Sequence, residues 1–159
     1  MFGYPAKGAH AYAQISIESG ALGASPHRLV VLMFDGAITS VSKAMVHMKN
    51  NEIAEKGKSL NHAITIVESG LRASLDKKVG GEIALTLDNL YAHIALQLLQ
   101  ANLRNSPEIL LQVIDLLKTM RESWDAINPE HAEAKASKLR LAGSPPSAVA
   151  GAYRNFAVA

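Results

Sequence analysis

The chain has 159 residues, enough for one domain with a substantial hydrophobic core. Aromatic residues make up only 5% of it and cysteine is absent, so the core must be aliphatic, and neither a disulfide framework nor a thiolate zinc site is available. Residues 26–128 carry eleven Lys/Arg and eleven Asp/Glu, which leaves no basic stripe for nucleic acid. No uninterrupted apolar run approaches the roughly eighteen residues of a membrane span. We expect a soluble cytoplasmic protein that binds neither nucleic acid nor membrane.

The N-terminal 24 residues contain four glycines and one proline and show no sustained helical period. Apolar residues alternate around Tyr12, Ile15 and Ile17, a pattern typical of a strand, but an isolated strand has no partner. We therefore predict a flexible N-terminal arm, residues 1–24, in which these three side chains lie in an apolar groove of the body. A disordered leader is the alternative.

Two Ser-Pro pairs predict helix starts, because a serine hydroxyl caps the first free N–H groups and proline has no N–H to leave unsatisfied. Ser25-Pro26 begins a first helix, which ends at Asn50-Asn51. Ser106-Pro107 begins a fourth helix, which ends at Asn128.

Between these two helices, apolar spacing predicts a second helix over 52–75 and, after a glycine-containing turn, a third over 81–104. Four helices joined by short turns favour an all-α, antiparallel up-down four-helix bundle over residues 25–128. Residues 129–159 form an alanine-rich basic tail. We expect this tail to be mobile, with a short helix around 130–141.

The predicted third helix has two apolar stripes, whereas a bundle helix needs one stripe of about 100°. The first stripe is a core pattern with Tyr91 at its edge: Ile83, Leu87, Leu90, Ile94, Leu98 and Ala101. The second stripe is rotated well away from the first and is separated from it by Asp88: Leu85, Ala92, Leu96, Leu99 and Leu103. Either this helix is enclosed on most sides, or its second stripe binds a helix from another protein.

A stripe of mostly small residues on the second helix would allow another backbone to approach closely: Ala63, Ile66, Gly70 and Ala73. Gly70 inside a helix costs about 1 kcal/mol relative to alanine, so a packing reason for it is expected. We predict that Ile66, Gly70 and Ala73 assist the second stripe in binding.

Residue patterns for catalysis or metal binding are missing. Helical bundles often hold metals through Glu-x-x-His pairs, but no Asp or Glu stands three residues before any of the six histidines. No nucleophile-and-base arrangement stands out, and Asp88 is interpreted as a divider between the two stripes on an exposed helix. We expect no enzyme activity, no cofactor and no metal.

The apolar surface beyond what a bundle needs favours protein binding. Helix-in-groove recognition suits a helical host, since the guest helix anchors through residues at i, i+3 or i+4, and i+7.

The sequence resembles the flagellar secretion chaperones, the FliS family, which hold flagellin in the cytosol. The order and spacing of several short segments carry the resemblance: Tyr12-Ala13-Gln14-Ile15, Ala24-Ser25-Pro26 with Leu29, Leu32 to Gly36, Gly70 to Asp76, Leu90-Tyr91, Leu98 to Asn105, and Trp124. The tail after Pro129 is longer than the family pattern.

The resemblance implies a helical bundle that binds the disordered C-terminal segment of flagellin in apolar grooves and prevents its premature polymerisation. It also implies that the complex docks at the flagellar export gate through the region around Tyr12, and that the arm covers part of the groove in the free protein.

Two other interpretations stay open. In the first, the second stripe is the seam of a homodimer, so the protein is either a monomer or a weak homodimer. In the second, the same groove sequesters another flagellar factor, such as an anti-sigma protein.

Overall fold

The structure is a computed structural model that describes residues 23–143. Within that range the chain forms five α-helices and one π-helical segment, and no β-strand. The chain divides into two compact units, one ending at Asp125 and the other beginning at Ala126. The predicted all-α bundle is confirmed in the described part of the first unit.

Helix α1 spans Pro26–Lys49 and begins as the sequence predicts. The Ser25 hydroxyl accepts a hydrogen bond from the N–H of Arg28 at 3.2 Å, which caps the helix. After the helix, Asn51 has φ +58°, in the left-handed region that asparagine enters more easily than most residues. The chain therefore reverses direction within three residues.

Helix α1 is also long and apolar enough to meet a length-and-hydropathy criterion for crossing a membrane. Eight of its residues are buried: Val31, Met33, Phe34, Ala37, Ser40, Val41, Ala44 and Met48. The core helix of a bundle passes the same criterion, and the burial of this face in the bundle accounts for the apolar composition.

Helix α2 spans Ile53–Thr65 and continues directly into the π-helical segment Ile66–Arg72. The sequence predicted one uninterrupted α-helix here. The π segment buries Ile66, Val67, Gly70 and Leu71, a spacing that an α-helix would produce equally well. Hydrophobic periodicity therefore does not distinguish the two geometries, although a π turn contains about one more residue.

Helix α3 spans Lys77–Arg104 and is interrupted near its start. Asp76 caps it, since one carboxylate oxygen accepts the N–H groups of Lys78 at 3.0 Å and Val79 at 3.1 Å. Gly81 has φ +53° and ψ −129°, a conformation that residues other than glycine avoid. A single helical turn therefore precedes the kink, where the sequence predicted only a loop.

Helix α4 spans Pro107–Ala126. It completes an aliphatic core to which all four helices of the first unit and the π segment contribute. The largest side chains with less than 2% exposure include Met33, Phe34, Leu60, Ile66, Leu71, Ile94, Leu98, Leu110 and Leu117. The phenyl ring of Phe34 packs 6.3 Å from the Tyr91 ring, at a tilt of 48°.

Polar contacts between helices show that neighbours run antiparallel. His27, near the start of α1, is hydrogen-bonded to Trp124, near the end of α4. Lys56, near the start of α2, is hydrogen-bonded to Asn102, near the end of α3. Together with the short turns, these contacts establish the up-down order.

Helix α5, in the second unit, spans Pro129–Ala142 and matches the short helix that the sequence predicted in the tail. The side chain of Asn128 caps it by accepting the N–H of Glu130 at 3.0 Å. None of its residues is buried.

Candidate functional site

The second apolar stripe of the sequence lies on the surface of α3. Its four leucines are substantially exposed, namely Leu85 at 52%, Leu96 at 50%, Leu99 at 46% and Leu103 at 77%. Ala92, between them, is half-buried. We call Leu85, Ala92, Leu96, Leu99 and Leu103 the α3 stripe. Within the described residues no neighbouring helix covers it, so an enclosed central helix is not what the structure shows.

The small-residue stripe is placed differently. Ile66 is 2% exposed and belongs to the core, and Gly70 is buried within the π segment. Only Ala73 is exposed. Ile66 and Gly70 therefore pack inside the bundle, and the packing reason expected for Gly70 is its burial in the π segment.

The first stripe of α3 is mostly buried, with two corrections. Ile94, Leu98 and Ala101 are fully enclosed, whereas Ile83, predicted to be in the core, is 73% exposed. Tyr91, predicted at the edge, is 3% exposed, and burial raises the pKa of its phenol to about 12. The core face is therefore rotated toward Tyr91 and away from Ile83.

A cavity of about 530 Å³ opens at the end of the bundle where α1 begins and α4 ends. Val30 from α1, Ile83 and Leu87 from α3, Leu75 and Trp124 contribute to its largely apolar wall. We call this space the Trp124 cavity. The sequence did not predict it, because its wall is assembled from four separate segments and no local pattern records that assembly.

Trp124 is held in the wall of this cavity by His27. The two rings stack with centroids 4.8 Å apart and planes 14° from parallel. His27 Nε2 donates a hydrogen bond to the Trp124 carbonyl at 2.7 Å, and Trp124 Nε1 donates to the His27 carbonyl at 3.2 Å. These reciprocal bonds join the start of α1 to the end of α4.

Asp88 is not exposed, contrary to the sequence-based interpretation. It is 9% exposed and accepts a hydrogen bond from Arg72 Nε at 2.8 Å. Arg72 also donates to Glu68 at 2.9 Å, and Lys77 lies 3.4 Å from the second oxygen of Asp88. The guanidinium of Arg72 therefore lowers the pKa of the Asp88 carboxyl. This ion pair attaches the end of the π segment to α3.

A smaller depression of about 200 Å³ lies at the opposite end of the bundle, where α1 ends, α2 begins and α3 ends. Lys56 and Leu103 are both part of its wall. We call it the Lys56 depression. Leu103 belongs also to the α3 stripe, so the stripe runs into this depression.

No group of three or more metal-ligating side chains occurs among residues 23–143. Three surface features of this part of the chain bear on binding: the α3 stripe, the Trp124 cavity and the Lys56 depression.

A family model described as "Flagellar protein FliS" matches residues 8–131. The chain belongs to the FliS family. The relative from Salmonella typhimurium, named flagellar secretion chaperone FliS, is 42% identical over 127 residues, which cover 80% of this chain and 94% of the relative. The relative of the same name from Escherichia coli is 41% identical over 121 residues, covering 76% and 89%. Flagellar secretion chaperone FliSB from Pseudomonas aeruginosa is 38% identical over 125 residues, covering 79% and 98%.

Membership of the FliS family makes this protein a flagellar secretion chaperone, which confirms the role implied by the resemblance. The FliS match includes the α3 stripe, the Trp124 cavity and the Lys56 depression. It also includes Tyr12, Ile15 and Ile17, which lie outside the residues that the structure describes.

Proposed function

We propose that this protein binds the disordered C-terminal segment of flagellin along the α3 stripe, in the cytoplasm, before export. The observation that carries the proposal is that the four leucines of the α3 stripe lie on one face of one helix and are each at least 46% exposed. Soluble proteins seldom leave contiguous apolar surface of this kind uncovered unless it binds a partner.

The length of the α3 stripe suits a helical guest. From Leu85 to Leu103 the helix rises about 27 Å, at 1.5 Å per residue. A guest helix of about 18 residues, with apolar side chains at i, i+3 or i+4, and i+7, would cover this distance. Ala73, exposed at the end of the π segment, remains a proposed additional contact, whereas the burial of Ile66 and Gly70 argues for a packing role.

Covering the guest has a direct consequence for assembly. Flagellin segments that polymerise through apolar helix faces cannot pair with one another while those faces lie on α3. Because a disordered guest loses conformational entropy when it folds on its host, the complex gains less net free energy than its contact area suggests. Such a complex is suited to later release of the guest for export.

The N-terminal arm belongs to the proposal at the level of sequence. Tyr12, Ile15 and Ile17 would cover apolar surface of the bundle in the free protein and would contact the flagellar export gate once the guest is bound. The Trp124 cavity and the α3 stripe are two apolar surfaces that such an arm would cover.

Calorimetric titration tests the proposal with a peptide of the last forty or so residues of flagellin from the same organism. We expect 1:1 binding with a large negative heat-capacity change, since folding on the surface buries apolar area from both partners. Absence of binding would refute the proposal.

Sedimentation with and without peptide tests the homodimer interpretation, which requires a dimer that the peptide leaves unchanged. An anti-sigma partner that used the same groove would compete with the peptide.

A further inference from the structure

Lys56 is a buried cation without a buried anion. The residue is only 6% exposed. Its Nζ donates to the carbonyl oxygen of Asn102 at 3.3 Å and to Oδ1 of Asn105 at 3.0 Å. Both acceptors are neutral, and none of the ion pairs found between described residues involves Lys56. Since an ammonium group has three donors, one remains available.

Neither of the two carboxylates nearest in sequence pairs with Lys56. Glu55, the adjacent residue, pairs instead with Lys58 at 3.2 Å. Glu52 is also part of the wall of the Lys56 depression, but its carboxylate pairs with the imidazole of His47. The last carbonyl groups of α3, including that of Asn102, supply only about half an elementary negative charge through the helix dipole. Lys56 Nζ therefore has no carboxylate partner among the described residues.

The surroundings of Lys56 connect this charge to the α3 stripe. Leu103 and Ile53, 77% and 74% exposed, both contribute to the wall of the depression, and Leu103 is the last residue of the stripe. The depression has a volume of about 200 Å³, several times the roughly 30 Å³ that one water molecule occupies in the liquid. It therefore has room for a carboxylate group in place of water.

We propose that the Lys56 depression binds a carboxylate of the polypeptide that covers the α3 stripe, through an ion pair with Lys56 Nζ. This inference rests on the proposed function, because it gives the bound segment an anchor at one end of its path. The apolar stripe supplies contact area, and a charge-assisted hydrogen bond at its end fixes the register and direction of the guest. Ile53 becomes a further apolar contact that the sequence did not single out.

The source of the carboxylate is either an Asp or Glu side chain or the terminal carboxylate of the segment. Variants of the forty-residue flagellin peptide distinguish these two sources. Each acidic side chain is changed in turn to its amide, and one further peptide carries a C-terminal amide. We expect one of these peptides to bind the wild-type protein about tenfold more weakly than the unmodified peptide, as expected for the loss of one buried charge-assisted hydrogen bond.

Variants of the protein identify the partner of that carboxylate. In Lys56→Gln the sensitive peptide and the unmodified peptide should bind with affinities within about twofold of each other, and Lys56→Arg should restore part of the difference. Lys58→Gln is the matched control, because Lys58 is 75% exposed and pairs with Glu55. It should keep the full tenfold difference. Thermal unfolding of each variant reports any loss of stability separately.

Three outcomes would overturn the inference. The first is that no neutralised peptide differs from the unmodified one by more than about twofold on the wild-type protein, a result that needs no protein variant. The second is that the tenfold difference persists in Lys56→Gln. Either result, with the unmodified peptide still bound, leaves the proposed function standing. The third is a wild-type protein that binds no peptide, which removes both.

Discussion

Single side chains on α3 differ sharply in what surrounds them, and Leu96 is the clearest case. It is half exposed near the middle of the α3 stripe, while His93, one turn earlier, is an exposed polar residue outside the stripe on the same helix. The two positions share a helix and differ in face. Substitution of each therefore separates binding from folding.

Leu96→Glu should weaken binding of the flagellin peptide by about tenfold or more, because a carboxylate would have to be desolvated against an apolar guest. Its thermal midpoint should stay close to that of the wild type, since surface substitutions usually change stability by less than about 0.5 kcal/mol. His93→Glu is the control and should bind normally. Calorimetry and thermal unfolding measure the two effects. Normal peptide binding by a folded Leu96→Glu protein would show that the α3 stripe is ordinary surface.

Asp88 provides a pH-dependent prediction at the same scale. Because Arg72 lowers the pKa of this carboxyl, the ion pair stabilises the fold above the usual carboxyl pKa of about 4 and is lost as pH falls through the lower folded value. Asp88→Asn should therefore be less stable than wild type at pH 7, and the difference should shrink below about pH 4. Urea unfolding at several pH values measures it. A difference that is constant down to pH 2 would contradict the assignment.

At the scale of elements, the starts of α1 and α4 were predictable, whereas the start of α3 and the internal irregularities of the helices were not. Ser25 caps α1 because hydroxyl and proline act locally. The π segment was missed because its buried residues keep an α-helical spacing. The burial of Asp88 was missed because it depends on Arg72, sixteen residues earlier and on another element. The exposed leucines of the α3 stripe were predictable because a surplus of apolar residues shows in the sequence.

The kink in α3 gives a prediction with a matched control. Gly81 has φ +53°, so Gly81→Ala should destabilise the protein by about 1–2 kcal/mol. Gly57, inside α2, has no atom within 4 Å of the place where a Cβ would be added. Gly57→Ala should therefore stabilise the protein by about 0.5–1 kcal/mol. Urea unfolding of both variants checks the opposite signs, and a loss of stability in Gly57→Ala would show that α2 does not tolerate a methyl group there.

At the scale of the whole molecule, the chain extends beyond the part that defines its family. The FliS match ends at residue 131. The match to the Salmonella typhimurium relative covers 94% of that protein but only 80% of this chain. Within the first unit, by contrast, the reciprocal bonds between His27 and Trp124 depend on the last turns of α4. We therefore expect the fold and the proposed binding surface to require α4 but not the residues after Asn128.

Truncation tests this division. A chain that ends at Asn128 lacks α5, none of whose residues is buried, and should unfold at the same urea concentration as the full chain and bind the flagellin peptide with an affinity within about twofold. Trp124, the sole tryptophan of the sequence, reports unfolding by fluorescence in both proteins. A chain that ends at Thr119 loses Arg121 and Trp124 and, with them, the contacts to Asp35 and His27. Circular dichroism should show it to be much less stable. Weak peptide binding by the chain ending at Asn128, with its stability unchanged, would instead assign part of the binding surface to the tail.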